Sequence, residues 1–367
     1  MLKILRKDLL LIFAVAAVFL SLSYAIGFVT NRAPRAVEIQ TAFLTGGAPK
    51  AQPTSVRVWR KPTFEKTSTV DSTSLKAPAK LQANKNGNIF VLDWSDLRVK
   101  EFSPDGKLQR AFGEEVGSPG AFANPTGFAL DSSDNMWVCD FKQERVGVFN
   151  RDGSQRSFKP KNTIYRMAAL GDVMITMVVL EYSRLFETYD LSGRQLNSFG
   201  ELLQDQANKG LVLDGDIVPD TENHGIIYGG RYLGIIGAYD AEGKQRFLVQ
   251  TIDNVPQPMM LNIDGRMRKI KPRTALPVLS LSILDNELYV LSGVHPDGTA
   301  GVRGKVMDVY KKQDGTYLYS WELPTDGQEA IVGSNYIYIR RDTEVTIWRS
   351  SQTHTASEVS LDPNLHN

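Results

Sequence analysis

The 367-residue chain is 42% hydrophobic and 23% charged, a balance that fits a folded protein with a core and excludes a disordered or fibrous one. Lys and Arg total 42 against 41 Asp and Glu, a formal charge of +1, so no global field draws the chain to nucleic acid or another polyanion. The single cysteine, Cys139, cannot form an internal disulfide and follows the apolar run Met136, Trp137, Val138; it reads as a small buried hydrophobe rather than a reactive thiol.

In chain order, residues 1–8 form a short lead with Lys3, Arg6 and Lys7, and Leu9 to Val29 follows without a charge. As a helix, residues 9–29 would span roughly 31 Å, enough for a bilayer core. Positive charge ahead of the span predicts a cytoplasmic N-terminus and an extracytoplasmic remainder, an asymmetry that Arg32 and Arg35 reduce. Ser23-Tyr24-Ala25 has the small-x-small form of a signal-peptidase site, so the segment is either a single-pass anchor in the cytoplasmic membrane or a cleaved signal. The remainder of the chain then faces the periplasm or, after cleavage, is periplasmic or secreted. Residues 30–53 read as a linker.

From residue 54 onward the periodicity is that of strands. "TSVRVWRK", 54–61, alternates and precedes the first of several repeats. "NGNIFVLDWSDLRVKEFSPDGKLQRAFG", 86–113, recurs at an offset of 47 as "NMWVCDFKQERVGVFNRDGSQRSFK", 135–159, keeping Asn88 with Asn135, Val91 with Val138, Asp93 with Asp140, Arg98 with Arg145, Val99 with Val146, Phe102 with Phe149, and Asp105-Gly106 with Asp152-Gly153. Period-2 runs flanking Asp-Gly pairs are the mark of hairpins.

Weaker copies follow. "GDVMITM" leads to "YDLSGRQLNSFG", "GIIYGG" to "GAYDAEGKQRFLV", and "NELYVLS" to "VYKKQDGTYLYSW", placing turn glycines at Gly106, Gly153, Gly193, Gly243 and Gly315. A last copy, "SNYIYIRRDTEVTIWRS" at 334–350, lacks its turn and fourth strand. Six copies with almost no helical periodicity predict an all-β fold, a six-bladed propeller of four-stranded antiparallel blades over residues 54–352, with a polar tail at 353–367. The strand missing from the sixth blade is expected from 54–61, which would leave no open edge.

These residues resemble NHL-type repeats of six-bladed propellers: a Pro-Gly-like opening, a buried strand ending in Asp, an Arg-Val strand, an Asp-Gly turn and an aromatic-Gly exit. The match is specific over 81–159 and weak elsewhere, where Met177 and Ser292 replace the strand-ending Asp. The resemblance implies a propeller scaffold presenting loops to a ligand.

Asp93 and Asp140 are expected to bond loop amides or pair with the following Arg98 and Arg145, tying strands together. "DGDIVPDTENHG" gathers Asp214, Asp216, Asp220 and His224, a donor mix suited to calcium or zinc, although the spacing fails the EF-hand pattern. "GRMRKIKPR" carries Arg266, Arg268, Lys269, Lys271 and Arg273; it reads as the charged face of a strand pair or as a hairpin for anionic headgroups or glycans. There is no G-x-S-x-G, H-E-x-x-H or phosphate-loop motif, and the histidines are only His224, His295, His354 and His366. The leading expectation is therefore a membrane-tethered binding module for a protein, peptide or glycan, without a cofactor and without nucleic acid as a partner. The alternative is a calcium- or zinc-dependent hydrolase or lyase similar to the propeller lactonases, whose ligands are scattered beyond the reach of motif reading.

Overall fold

The computed structural model describes residues 35–38 and 48–350, apart from 119–120, 132, 179–183, 203–211, 254, 256–258, 264–265, 271–274, 296–298 and 300; for 35–38, 259–263 and 266–270 it describes the backbone alone. Six four-stranded antiparallel sheets succeed one another along the chain. Blade 1 is Pro78–Ala83, Ile89–Asp93, Arg98–Phe102 and Leu108–Phe112; these are strands a to d, numbered outward from the axis. Blades 2, 3, 4 and 5 begin with strands a at Pro125–Leu130, Arg166–Leu170, Gly215–Asp220 and Ser280–Leu284. Blade 6 comprises Glu329–Val332, Tyr336–Arg341 and Glu344–Ser350 with an outer strand, Phe64–Val70, from the other end of the chain. The a strands contact one another around a closed ring, blade 6 against blade 1 included.

The hydrophobic core is distributed as six clusters, one per junction between successive blades. Phe90, Leu92 and Val99 of blade 1 meet Phe128, Met136 and Val138 of blade 2 in one of them, and Val345 and Ile347 of blade 6 meet Leu81 and Val91 of blade 1 in another. Both faces of each blade are thus apolar, which explains b strands that read as unbroken hydrophobic runs. The expected turn glycines all have positive φ, between 71° and 87°. At Gly193 and Gly243 the need is also steric, because a Cβ would stand 2.3 Å from Phe158 and 2.5 Å from Phe199, aromatic residues of the preceding blade. Each such turn tucks against its neighbour and needs both freedoms that glycine supplies.

Closure by the N-terminal region is as expected, but the segment is different. Residues 54–61 do not complete blade 6. The amide of Arg60 donates to the Ser320 carbonyl (2.8 Å) and that of Ser320 to the Val58 carbonyl (2.7 Å), fixing this stretch along the outer edge of blade 5. Just before it, the backbone of Lys50 exchanges 2.9 Å hydrogen bonds with Leu248 and Gln250 on the outer edge of blade 4. The chain therefore straps two blades before Phe64–Val70 closes the third. Val56 is 70% and Val58 56% exposed, so their alternation marks an edge rather than a buried face.

The basic segment falls in a separate three-stranded sheet, in which Met259–Ile263 pairs with both Arg266–Ile270 and Arg35–Glu38. Arg266, Arg268 and Lys269 thus lie on a hairpin strand, while Lys271 and Arg273 fall outside the described residues. Leu9 to Val29 also lies outside them, and among the described residues no helix is long and apolar enough to cross a membrane.

Candidate functional site

Along the axis the a strands surround two openings. The wider, of about 790 Å³, is lined by the links between blades and by b–c loops: Trp94, Asn124, Tyr165, Arg231, Tyr232 and Val302 among others. The narrower, of about 430 Å³, is lined by a–b turns at the other end. Lys80, on strand a of blade 1, borders both and forms the waist. Its Nζ lies 2.8 Å from Asp216 Oδ1 of blade 4 and 2.8 Å from Glu329 Oε1 of blade 6.

These buried carboxylates also stitch the wall. Asp216 accepts the Leu281 amide (3.1 Å), while Glu329 accepts the Leu81 amide (3.0 Å) and the Arg340 Nε (3.1 Å). Neighbouring a strands, which belong to separate sheets, are joined by such side chains; Ser280 Oγ similarly accepts the Ala330 amide at 3.0 Å. Burial opposes ionisation of Asp216, but Lys80 beside it holds its carboxyl below the ordinary value. Burial likewise disfavours the Lys80 ammonium, and the charges of Asp216 and Glu329 outweigh it and raise its pKa.

The strand-ending aspartates are structural. Asp93 accepts the amides of Lys76 (3.1 Å), Ala77 (3.0 Å) and Ser95 (3.0 Å) and pairs with Lys100 at 2.8 Å. Burial works against its charge, but Lys100 and these donors hold the carboxyl well below the carboxylate range. Asp140 accepts the amides of Ala123 (2.7 Å), Asn124 (3.1 Å), Lys142 (3.1 Å) and Gln143 (3.1 Å). The expected arginine pairing is replaced: Arg98 meets Asp96 at 3.2 Å, and Arg145 donates to the Ala121 carbonyl at 3.2 Å. Cys139 is buried, and burial pushes its thiol pKa up.

The metal set proposed from 214–225 does not assemble. A strand rises about 3.3 Å per residue, so Asp214 and Asp220 stand roughly 20 Å apart at the two ends of strand a. Each carboxylate has its own cation: Arg231 at 3.5 Å for Asp214, Lys80 at 2.8 Å for Asp216, and Arg246 for Asp220. His224 occupies an exposed left-handed turn. Among the described residues no three His, Cys, Asp or Glu side chains converge on a metal position.

The mouth residues themselves carry no linear motif. Lys80, Arg166, Asp216 and Glu329 lie far apart in the sequence, and only the ring brings them together. Their shared signal is an ionic residue near the start of each of four a strands, a feature visible once blade boundaries are known.

No family model matches the sequence. Over 78 residues, 20% of this chain, it is 31% identical to human NHL repeat-containing protein 3, and the match spans 22% of that protein's length. The NHL resemblance holds, and it is local. Among solved structures, a member of the DUF4221 family from Bacteroides vulgatus matches with a TM-score of 0.54 at 10% identity, over 81% of this chain and 99% of that one. Virginiamycin B lyase from Staphylococcus aureus matches with a TM-score of 0.50 at 10% identity, over 78% of this chain and 99% of that one. At such identity the likeness is one of fold, and the NHL-like repeats belong to a six-bladed propeller consistent with an interaction module.

Proposed function

We propose that the protein is a binding module that takes its ligand at the wide mouth of the channel. The observation that carries this is the coincidence of the larger cavity with an exposed apolar rim. Trp94 (54% exposed) and Val302 (68% exposed) line that opening, and the exposed Phe141 lies beside it, its amide bonded to the Asn124 carbonyl of the cavity wall. All three sit on b–c loops, which the rigid ring holds in place and which have no packing reason to be apolar. Protein, peptide and glycan ligands all suit such a rim.

The uncharged run Leu9 to Val29 supports an N-terminal tether, with the propeller outside the cytoplasm. Arg35–Glu38, which pairs with the basic hairpin, follows that run within a few residues. A tethered protein would therefore hold the hairpin near lipid headgroups.

A thermal-shift screen of the full-length protein against peptides, glycans and small metabolites tests the reading, because a ligand selective for the folded state raises Tm. Ligands found this way should lose their effect in Trp94→Ser and Val302→Ser variants and keep it in Leu108→Ser and Leu196→Ser, which alter outer strands. Ligands lost only in the outer-strand variants would place function elsewhere.

A further inference from the structure

The charges of the wide mouth are unevenly satisfied. Lys80 and Arg340 are committed to Asp216 and Glu329. Arg166, the first residue of strand a in blade 3, lines the same cavity and is near enough to Asp214 and Asp216 to feel their charge. Its guanidinium nevertheless makes one hydrogen bond, from Nη1 to the Tyr165 carbonyl at 3.1 Å, and lies 4.1 Å over the Tyr165 ring. No carboxylate lies within ion-pair distance of it among the described residues. Its other N–H groups are not among the buried, unpartnered atoms, and the residue lines the cavity.

Arg231 stands on the same wall and is loosely held. Its Nε is 3.5 Å from Asp214 Oδ2 without a hydrogen bond, and both Arg231 Nε and Asp214 Oδ1 are buried without a partner. A guanidinium offers parallel donors that match the two oxygens of a carboxylate or phosphate. Tyr165 and Tyr232 border the same space, with Trp94 and Val302 at its rim. A volume of about 790 Å³ is in the range of small-molecule sites.

We propose that the wide mouth binds a small ligand bearing an oxyanion, carboxylate or phosphate, with Arg166 as the fork and Arg231 as the second cation. The ligand's apolar or aromatic body lies against Tyr165, Tyr232 and Trp94. The proposal rests on the mouth being the binding site and adds the chemistry that it selects.

The test uses the full-length protein labelled with 5-fluorotryptophan, whose Trp94 resonance is assigned with Trp94→Phe. Phenylacetate, phenyl phosphate and the neutral phenylacetamide are titrated while the ¹⁹F spectrum is followed. Saturable movement of the Trp94 signal is expected with at least one anion and not with the amide. Whichever anion acts at lower concentration identifies the oxyanion. Arg166→Gln should weaken that binding by about tenfold or more, and raised ionic strength should weaken it in the unaltered protein, which keeps the test independent of the variant's folding. Equal titration by amide and anion, or affinity unchanged in a folded Arg166→Gln, overturns the oxyanion assignment while leaving the mouth a binding site. Silence of Trp94 toward all three probes also overturns it, and the screen with rim variants then judges the mouth on its own.

Discussion

In blade 1, Asp93 ends strand b and Lys100 stands across from Val91 on strand c; in blade 5, Ser292 ends strand b and Asp308 stands across from Val290. The positions correspond, but the acid and the base of blade 1 have become a hydroxyl and an acid. Blade 1 is self-sufficient, since Lys100 lies 2.8 Å from Asp93 and also bonds the Ser74 carbonyl of the preceding link. Blade 5 borrows its cation from the strap. Arg57 forks onto Asp308 at 2.8 and 2.9 Å and also pairs with Asp253 of the preceding link, while Ser292 Oγ donates to Asp253 at 2.6 Å. A buried charge must be paired wherever the partner comes from. The same requirement is met locally in one blade and from some 250 residues away in the other.

The largest expected consequence is asymmetric sensitivity to the strap. Arg57→Ala leaves Asp253 and Asp308, whose side chains are 2% and 1% exposed, without their cation, and should cost about 3–5 kcal/mol near neutral pH. Urea unfolding measures it, and a loss under about 1 kcal/mol would mean that the strap is ornamental. Asp93→Asn breaks the blade 1 pair but keeps an acceptor for the amides, so a smaller loss of about 2–3 kcal/mol is expected from the same measurement.

Acid titration sharpens the contrast. Burial, and then the neighbouring Asp308, push Asp253 up to about 6 despite Arg57, because one guanidinium serves two carboxylates. A raised carboxyl pKa favours the folded state while protonated, so this contribution is full below about pH 4 and is lost as pH rises to about 6. Its size is at most about 3 kcal/mol, and smaller in so far as the pair titrates together. Asp93 acts in the opposite sense: its depressed pKa contributes stability that is full above the ordinary carboxylate range and is lost as pH falls below that range toward the folded value. Asp253→Asn should therefore flatten the stability profile between about pH 4 and 6, and Asp93→Asn should flatten it only below. Denaturant midpoints across that range would show it; identical profiles for the two variants would break the comparison.

The same contrast explains what the sequence disclosed. Blades 1 and 2 were legible because strand-ending Asp, Asp-Gly turn and apolar runs lie within one repeat, so local chemistry and ring position agree. Blade 5 was recognisable by its strand periods and its Asp314-Gly315 turn but not by its charges, since its charge pattern differs and its counter-ion lies before the first blade. The closing strand, "FEKTSTV", carries a weaker sequence signal than "TSVRVWRK" because an outermost strand is mostly solvated and need not alternate. The acidic run 214–225 looked like a metal site because strand spacing is invisible in a linear count. The mouth was illegible for a related reason: Lys80, Arg166, Asp216 and Glu329 meet only when the ring closes.

Arg57 supplies to blade 5 what Lys100 supplies to blade 1, and a double-mutant cycle between Arg57→Ala and Asp308→Asn measures that role. Unfolding in urea at pH 7 gives the stability of the four proteins. Asp308→Asn should relieve much of the Arg57→Ala penalty, with a coupling energy above about 1.5 kcal/mol. Losses that add to within about 0.5 kcal/mol would contradict it.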